Sequence, residues 1–322
     1  MSCLILNPVS GTDEGPSLVG RINELLRDQV GDLDITITAG PGDAERAALR
    51  AASGGETRLF VAGGDGTLND VLNGAYASGR LADIVFGLLP IGTANDFASV
   101  LGIPPDVEAA VRSFADGHTI AVDVGRLDDR VFVNISAGGF VAEASEAVTP
   151  ELKTIAGRLA YLIGGAQALL SYDAVRARIE PLGEAYVLNP SEALAAARPA
   201  SHEGIAAHDV NLQMFAVCNS RLIGGGRLIA PQAVVDDGWL DVCVVEAMPT
   251  IEFVGLLRQV ARGGHLDDPR VSYFRTRDLR LAFDRVIKVN TDGQVLEAAS
   301  CRYTILPRAA RFLVPRRPAA AA

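Results

Sequence analysis

The sequence predicts an α/β domain built on a parallel sheet with helices on both faces, followed by an antiparallel β-rich domain, a sandwich or a barrel. Three observations predict it. Apolar strand-like runs alternate with helical stretches over the first third of the chain. From about residue 122 the apolar runs become short and are bounded by Gly, Asp and Asn. The length, 322 residues, suits two domains.

Taken in order, residues 2–7 form an apolar run without a basic leader, read as a strand and not as a signal peptide. Residues 18–30 have helical periodicity, 34–38 alternate as a strand, and the Ala-rich 43–52 is helical. Residues 59–62 are a short buried strand, 68–77 a helix and 84–89 a strand. Strands separated by helices call for parallel pairing. In the second part, strands are expected at 131–135, 210–219, 240–245, 279–283, 286–290 and 303–306, with helices at 152–170 and 251–262. Residues 181–209 read as a weakly patterned excursion between two strands, a floppy insert before a lid.

Composition narrows the function classes. Lys and Arg number 29 against 39 Asp and Glu, a net charge of −10. That balance argues against nucleic acid as the main partner, because neutralising phosphates needs a basic face. A basic cluster at the chain end (Arg308, Arg311, Arg316, Arg317) is read first as a solvated terminus, with lipid head-group contact as the alternative. No run reaches the roughly 18 apolar residues of a spanning helix, so the expected location is cytoplasmic. Cys3, Cys218, Cys243 and Cys301 each sit in apolar runs without metal-ligand spacing and read as buried reduced thiols. His118, His202, His208 and His265 do not cluster, which argues against zinc.

The chemistry-bearing segment is Gly63-Gly64-Asp65-Gly66-Thr67. It follows a buried strand and opens a helix, where backbone amides approach phosphate oxygens without Cβ obstruction and the helix start adds partial positive charge. Asp65 beside phosphates implies Mg²⁺ between them, directly or through water. Asp65 as a helix cap in a tight turn is the alternative. The run matches neither the dinucleotide fingerprint nor the Walker P-loop. Two more loops fall at the same carboxyl edge of a parallel sheet: Asn7-Pro8-Val9-Ser10-Gly11 and Gly92-Thr93-Ala94-Asn95-Asp96-Phe97. Asp96 is thereby a second candidate to organise the metal. Asp292-Gly293-Gln294 between apolar runs reads by itself as a hairpin turn. Asp236-Asp237-Gly238-Trp239-Leu240-Asp241 reads equally as a turn or as a hard-cation site.

These pieces resemble, in this order, the diacylglycerol-kinase catalytic-domain family, in particular its bacterial YegS-like lipid kinases. The matching set adds Thr38 with Pro41-Gly42-Asp43-Ala44, Leu68-Asn69 after the glycine turn, Leu89-Pro90-Ile91 before Gly92, Asn134-Ile135-Ser136-Ala137-Gly138-Gly139-Phe140, and Gly224-Gly225-Gly226 with Pro231. The resemblance spans nearly the whole chain. It implies a three-layer α/β domain over 1–122, joined by a returning segment at about 308–322. It implies a β-sandwich over 123–307, with an insertion at about 181–209. It also implies an ATP- and Mg²⁺-dependent kinase that phosphorylates a lipid hydroxyl, such as that of diacylglycerol or phosphatidylglycerol, in transient contact with the inner face of a membrane.

Expected nucleotide contacts, by the same resemblance and the loops above, are Asn7, Ser10, Gly11, Thr38, Gly63, Gly64, Asp65, Gly66, Thr67, Leu68, Asn69 and Thr93. A second, structural Mg²⁺ is implied at Asp237 with the backbone carbonyls of Val234 and Trp239. Asp292 rises from turn residue to active-site residue, with Asp65, Asp96 and Gln294 completing the catalytic set. Gln294 departs from the family, which has glutamate there as proton acceptor; an amide cannot accept a proton at working pH. Either Asp292 is then the base, or transfer needs little base, or the kinase is weakened. The helix expected at 152–170 is read as core before acyl-chain receptor. The competing functions are an NAD-kinase-like soluble nucleotide kinase and a catalytically weakened lipid- or nucleotide-binding protein.

Overall fold

A computed structural model describes residues 2–8, 15–140, 142, 173–188 and 205–316. Four parallel strands open the chain: β1 (Ser2–Leu6), β2 (Leu33–Ile37), β3 (Arg58–Gly63) and β4 (Val85–Pro90), in the spatial order β2-β1-β3-β4. All five residues of β1 are buried, as a central parallel strand covered on both faces requires. The crossovers are α1 (Gly15–Val30), α2 (Asp43–Ser53) and α3 (Asp65–Ala77). α2 buries Ala44, Ala47, Ala48 and Ala52, a stripe at helical spacing that packs on α3. Two short helices, α4 (Asp96–Val100) and α5 (Val107–Ser113), follow β4; the periodicity of so few residues is too short to read from sequence.

β5 (His118–Leu127) runs on without a break through the expected domain boundary at 121–124. The sandwich is made of β6 (Arg130–Phe132), β7 (Ile135–Gly139), β8 (Val175–Pro181), β9 (Ala185–Val187), β10 (His208–Cys218), β13 (Leu240–Glu246), β14 (Val271–Thr276), β15 (Asp278–Thr291) and β16 (Gln294–Val314). A small two-stranded hairpin, β11 (Leu222–Ile223) with β12 (Arg227–Leu228), stands apart, and α6 (Thr250–Val260) covers one face. β8 alternates buried Val175, Ala177 and Ile179 with outward residues, the period of a sheet with one wet face.

Several sequence expectations are redrawn. The two strands expected at 279–283 and 286–290 are one strand, β15, interrupted by a bulge between Ala282 and Ile287. The strand expected at 303–306 is part of the 21-residue β16. β9 lies inside the expected excursion at 181–209 and pairs with β14; residues 189–204, and the helix expected at 152–170, lie outside the described residues. All four cysteines are buried free thiols. Burial pushes Cys3 up to about 11 and Cys243 and Cys301 up to about 12.

β16 ties the architecture together. It pairs first with β15, then antiparallel with β5, and finally parallel with β4 through Arg311 and Phe312. The ring of Phe312 lies 5.5 Å from that of Phe86 and 5.1 Å from that of Phe97. A single hydrogen-bonded sheet of 14 strands therefore passes through both domains.

Candidate functional site

The site forms where the carboxyl edge of the parallel strands meets the near end of the sandwich. Gly64 caps α3 in an extended conformation, and the first bond of the helix runs from the Leu68 amide to the Gly64 carbonyl, 3.0 Å. The amides before Leu68 therefore point out of the helix start, the arrangement that receives phosphate oxygens. The loop after β4 crosses this turn in contact: a methyl group on Gly92 would stand 2.4 Å from the Gly64 Cα. Asn95 closes that loop, accepting from the Gly92 amide at 3.1 Å and donating to its carbonyl at 2.7 Å. This self-bonding suits its left-handed backbone, φ 52°.

Asp65 does not cap its own helix. Its carboxylate accepts from the Asp96 and Phe97 amides at the start of α4, both at 3.1 Å, and from Asn134 Nδ2 at 3.0 Å. Burial pushes its pKa up against these three donors. Three of its roughly four acceptor sites are occupied, which leaves room for a cation held through water rather than chelated. Asp96, expected to organise the metal, has a different employment. Its carboxylate accepts from the Gly225 and Gly226 amides at 3.0 and 2.8 Å and so clamps the β11–β12 turn onto α4. The turn can present two successive amides because Gly224, Gly225 and Gly226 all have positive φ (58°, 86° and 94°).

Asp292-Gly293 is the two-residue turn of the β15–β16 hairpin, with both residues at positive φ, 47° and 96°. The hairpin and active-site readings of this segment meet here. The turn reaches the glycine loop: a methyl on Gly66 would lie 3.8 Å from the Asp292 carbonyl oxygen. The Asp292 side chain, however, is turned inward. It accepts from the amides of Val133 (2.8 Å), Asn134 (3.1 Å) and Ile135 (2.7 Å). Burial pushes its pKa up to about 7. A carboxylate with both oxygens committed to backbone amides and no solvent face cannot meet an acceptor hydroxyl. The expectation of Asp292 as base is corrected to a structural role, holding the β6–β7 turn. Asn134 is the hub of that turn: its Oδ1 accepts from Ser220 Oγ at 2.5 Å while its Nδ2 holds Asp65.

The other expected residues divide. Asn7 is brought to the turn, its Nδ2 donating to Thr67 Oγ1 at 3.2 Å. Thr38 lies at the same edge, its amide on the Leu6 carbonyl at 2.9 Å, and Thr93 is exposed on the loop after β4. Ser10 and Gly11 lie outside the described residues. Leu68 and Asn69, expected to touch nucleotide, are on the inner side of α3. Leu68 is core, and Asn69 Nδ2 donates to the Val131 carbonyl at 2.9 Å beside Asn73. Gly66, Asn69 and Asn73 stand at i, i+3 and i+7 and so share one helix face, which meets the Asp292 turn at one end and β6 at the other.

The set Val234, Asp237 and Trp239 also differs from expectation. Asp237 Oδ1 accepts from the Trp239 amide at 3.1 Å, and Oδ2 pairs with Arg275 at 3.1 Å. Arg275 also pairs with buried Asp241 at 3.2 Å. A guanidinium already supplies the positive charge between these carboxylates and repels a divalent cation, so the donor set does not fit a second metal. Among the described residues no group of three His, Cys, Asp or Glu side chains could hold a metal ion.

One residue escaped the sequence reading. Asp70 is one turn along α3 from Gly66, so both face the cleft, and Gln294 Nε2 donates to Asp70 Oδ1 at 2.9 Å. Burial, then the neighbouring Glu45, pushes the Asp70 carboxyl up to about 6. The i, i+4 spacing from the glycine turn was the signal that could have found it.

Comparison with known proteins agrees with this layout. The family model described as the diacylglycerol kinase catalytic domain matches residues 1–127, and the YegS C-terminal NAD kinase beta sandwich-like domain matches 134–314. A diacylglycerol kinase of Staphylococcus saprophyticus is 30% identical over 291 residues, 90% of this chain and 88% of the relative. One of Bacillus subtilis is 27% identical over 292 residues, 90% and 88% of the two chains. The crystal structure of a diacylglycerol kinase from Bacillus anthracis superimposes with a TM-score of 0.69 at 21% identity, covering 97% of this chain and 96% of that one.

Proposed function

The chain belongs to the diacylglycerol kinase catalytic-domain family, and from that premise we propose that it transfers the γ-phosphate of ATP, accompanied by Mg²⁺, to the hydroxyl of a glycerolipid of the diacylglycerol or phosphatidylglycerol kind. It is a lipid kinase, an enzyme that phosphorylates an alcohol group. The observation that carries the finer reading is the contact of the Gly63–Thr67 turn with the Asp292-Gly293 hairpin, which puts the phosphate-binding helix start of one domain against the other domain.

In this reading the nucleotide phosphates lie on the outward amides at the start of α3, with Thr67 and Asn7 beside them. Asp65 would hold Mg²⁺ through water, and the cation supplies charge neutralisation on the phosphates. The remaining work is positioning. Asp65, Asn134 and Ser220 form one hydrogen-bonded chain from the α/β domain to the sandwich. Asp96 and the Gly225–Gly226 amides form a second. These fix the two domains at the spacing an in-line transfer needs. The lipid hydroxyl enters from the sandwich side, and the protein works at a membrane surface, which it touches transiently. No helix among the described residues is long and apolar enough to cross a membrane.

The test is a phosphorylation assay with labelled ATP, offering diacylglycerol, phosphatidylglycerol, a sphingoid base and NAD, with mass detection of the product. A phosphorylated glycerolipid is expected. Phosphorylation of NAD alone, or no product from any acceptor, overturns the proposal.

A further inference from the structure

Three carboxylates at the glycine turn are already spent. Asp65 accepts three donors, Asp292 three backbone amides, and Asp96 two. Asp70 differs. The hydrogen bond it makes, from Gln294 Nε2 at 2.9 Å, occupies one acceptor site of about four. Its side chain is half-buried, not sealed. It lies about 6 Å along the α3 axis from Gly66, since each helical residue rises 1.5 Å. Gln294 directly follows the Asp292-Gly293 turn that lies against Gly66, so Asp70 stands on the sandwich side of the glycine turn, the side from which an acceptor would come.

We propose that Asp70, oriented by the amide of Gln294, is the proton acceptor for the attacking hydroxyl. The inference rests on the kinase reading above. The hydroxyl oxygen bonds to the γ-phosphorus of the nucleoside triphosphate. The bond from that phosphorus to the β,γ-bridging oxygen breaks, and its electron pair leaves with the nucleoside diphosphate. The hydroxyl proton passes to Asp70 Oδ. Gln294 cannot take the proton, but as a neutral donor to Oδ1 it orients the carboxylate and leaves Oδ2 as the oxygen that would accept.

The surroundings suit a base that works near neutrality. Facing Asp70 are Glu45 of α2, Arg130 of β6 and Gln294 of β16. Arg130 pairs with Glu45 at 2.9 Å, so their charges offset each other. Partial desolvation is the largest influence and brings Asp70 to about 6. A base with that value is ionised at neutral pH yet basic enough to receive a proton as the transition state forms.

The experiment is Asp70→Asn in the full chain, assayed with the best lipid acceptor from wild type across pH 5–9. Nucleotide binding is measured separately, by calorimetry with a non-hydrolysable ATP analogue. Asparagine keeps an acceptor for the Gln294 amide, so the fold should hold, checked by thermal melting. The expected result is a fall in kcat of about 10²- to 10³-fold. Analogue affinity should stay within about threefold of wild type, and the acidic limb of wild-type kcat, near pH 6, should disappear. A variant within threefold of wild-type kcat overturns the proposal. So does a slow variant that keeps the acidic limb or loses nucleotide binding, which would make Asp70 a positioning residue. A wild-type protein inert toward every acceptor overturns the kinase reading and this inference together.

Discussion

At the residue scale, one side-chain type does four jobs here, and burial together with the count of donors decides which. Asp292 and Asp65 are held by backbone and amide donors, Asp96 clamps a turn, and Asp70 keeps open lone pairs. Asp65→Ala should abolish lipid phosphorylation. It should also lower stability by about 2 kcal/mol, because the Asp96 and Phe97 amides lose a buried acceptor. Activity assays and denaturant melts of the same preparation read both effects, and a fully active variant would sink the assigned role. Gln294→Glu places a second carboxylate against Asp70, at a position now 2.9 Å away. Like charges so close cannot both ionise freely, so the acidic limb of the pH–rate profile should move above pH 6. A limb that stays where wild type has it would show that Asp70 is not what titrates.

At the element scale, one face of α3 carries Gly66, Asn69, Asp70 and Asn73 and meets the second domain. Gly66 lies against the Asp292-Gly293 turn, and Asp70 bonds Gln294. Asn69 and Asn73 anchor the helix to β6, with Val131 donating its amide to Asn73 Oδ1 at 3.0 Å and receiving both asparagine amides on its carbonyl. The Asp96 carboxylate clamps the β11–β12 turn through the Gly225 and Gly226 amides. Asp96→Ala should cost about 2 kcal/mol and speed amide hydrogen exchange at Gly225 and Gly226, which have lost their acceptor. Unchanged protection at those two amides would contradict the clamp. In the 231–241 loop, Arg275 stands between Asp237 and Asp241. Chelation of divalent ions should therefore leave the melting temperature of the nucleotide-free protein unchanged. A drop of several degrees on adding EDTA, restored by Mg²⁺, would mean that a metal and not Arg275 neutralises this loop.

For the whole molecule, several carboxylates on helix and hairpin are raised by burial. Asp292 at about 7 and Asp70 at about 6 compare with 3.8 for an unhindered aspartate. The folded state then holds protons that the unfolded chain has already released. The stability these groups contribute is fully present below about pH 4 and is lost as pH rises through 6 and 7. His265 acts in the opposite direction: burial lowers its pKa, so stability is lost as pH falls below its ordinary 6.5. Thermal melts should show a higher midpoint at pH 6 than at pH 8. Asp292→Asn should reduce that slope. A midpoint that rises between pH 6 and 8 would refute the balance.

By itself the sequence determined the alternation of strands and helices in the first domain, the glycine turn at a helix start, and the change to short antiparallel strands. These are local properties: periodicity, turn chemistry and helix capping act over a few residues and leave their mark in the chain order. It also identified loops that meet at the cleft among the described residues, as residues 7, 63–67, 92–96, 134 and 292–294 show. Only the tertiary structure decided what each of those side chains faces. Asp292 looked like a base until three amides from Val133 to Ile135 were found on it, across more than 150 positions of chain. Asp96 looked like a metal ligand until the turn at Gly225 arrived from 129 residues away. Asp70 went unremarked in the sequence, and only the tertiary structure placed Gln294, 224 residues distant, beside it. A carboxylate's role depends on desolvation and on which donors reach it, and both are set by long-range packing that no local pattern records.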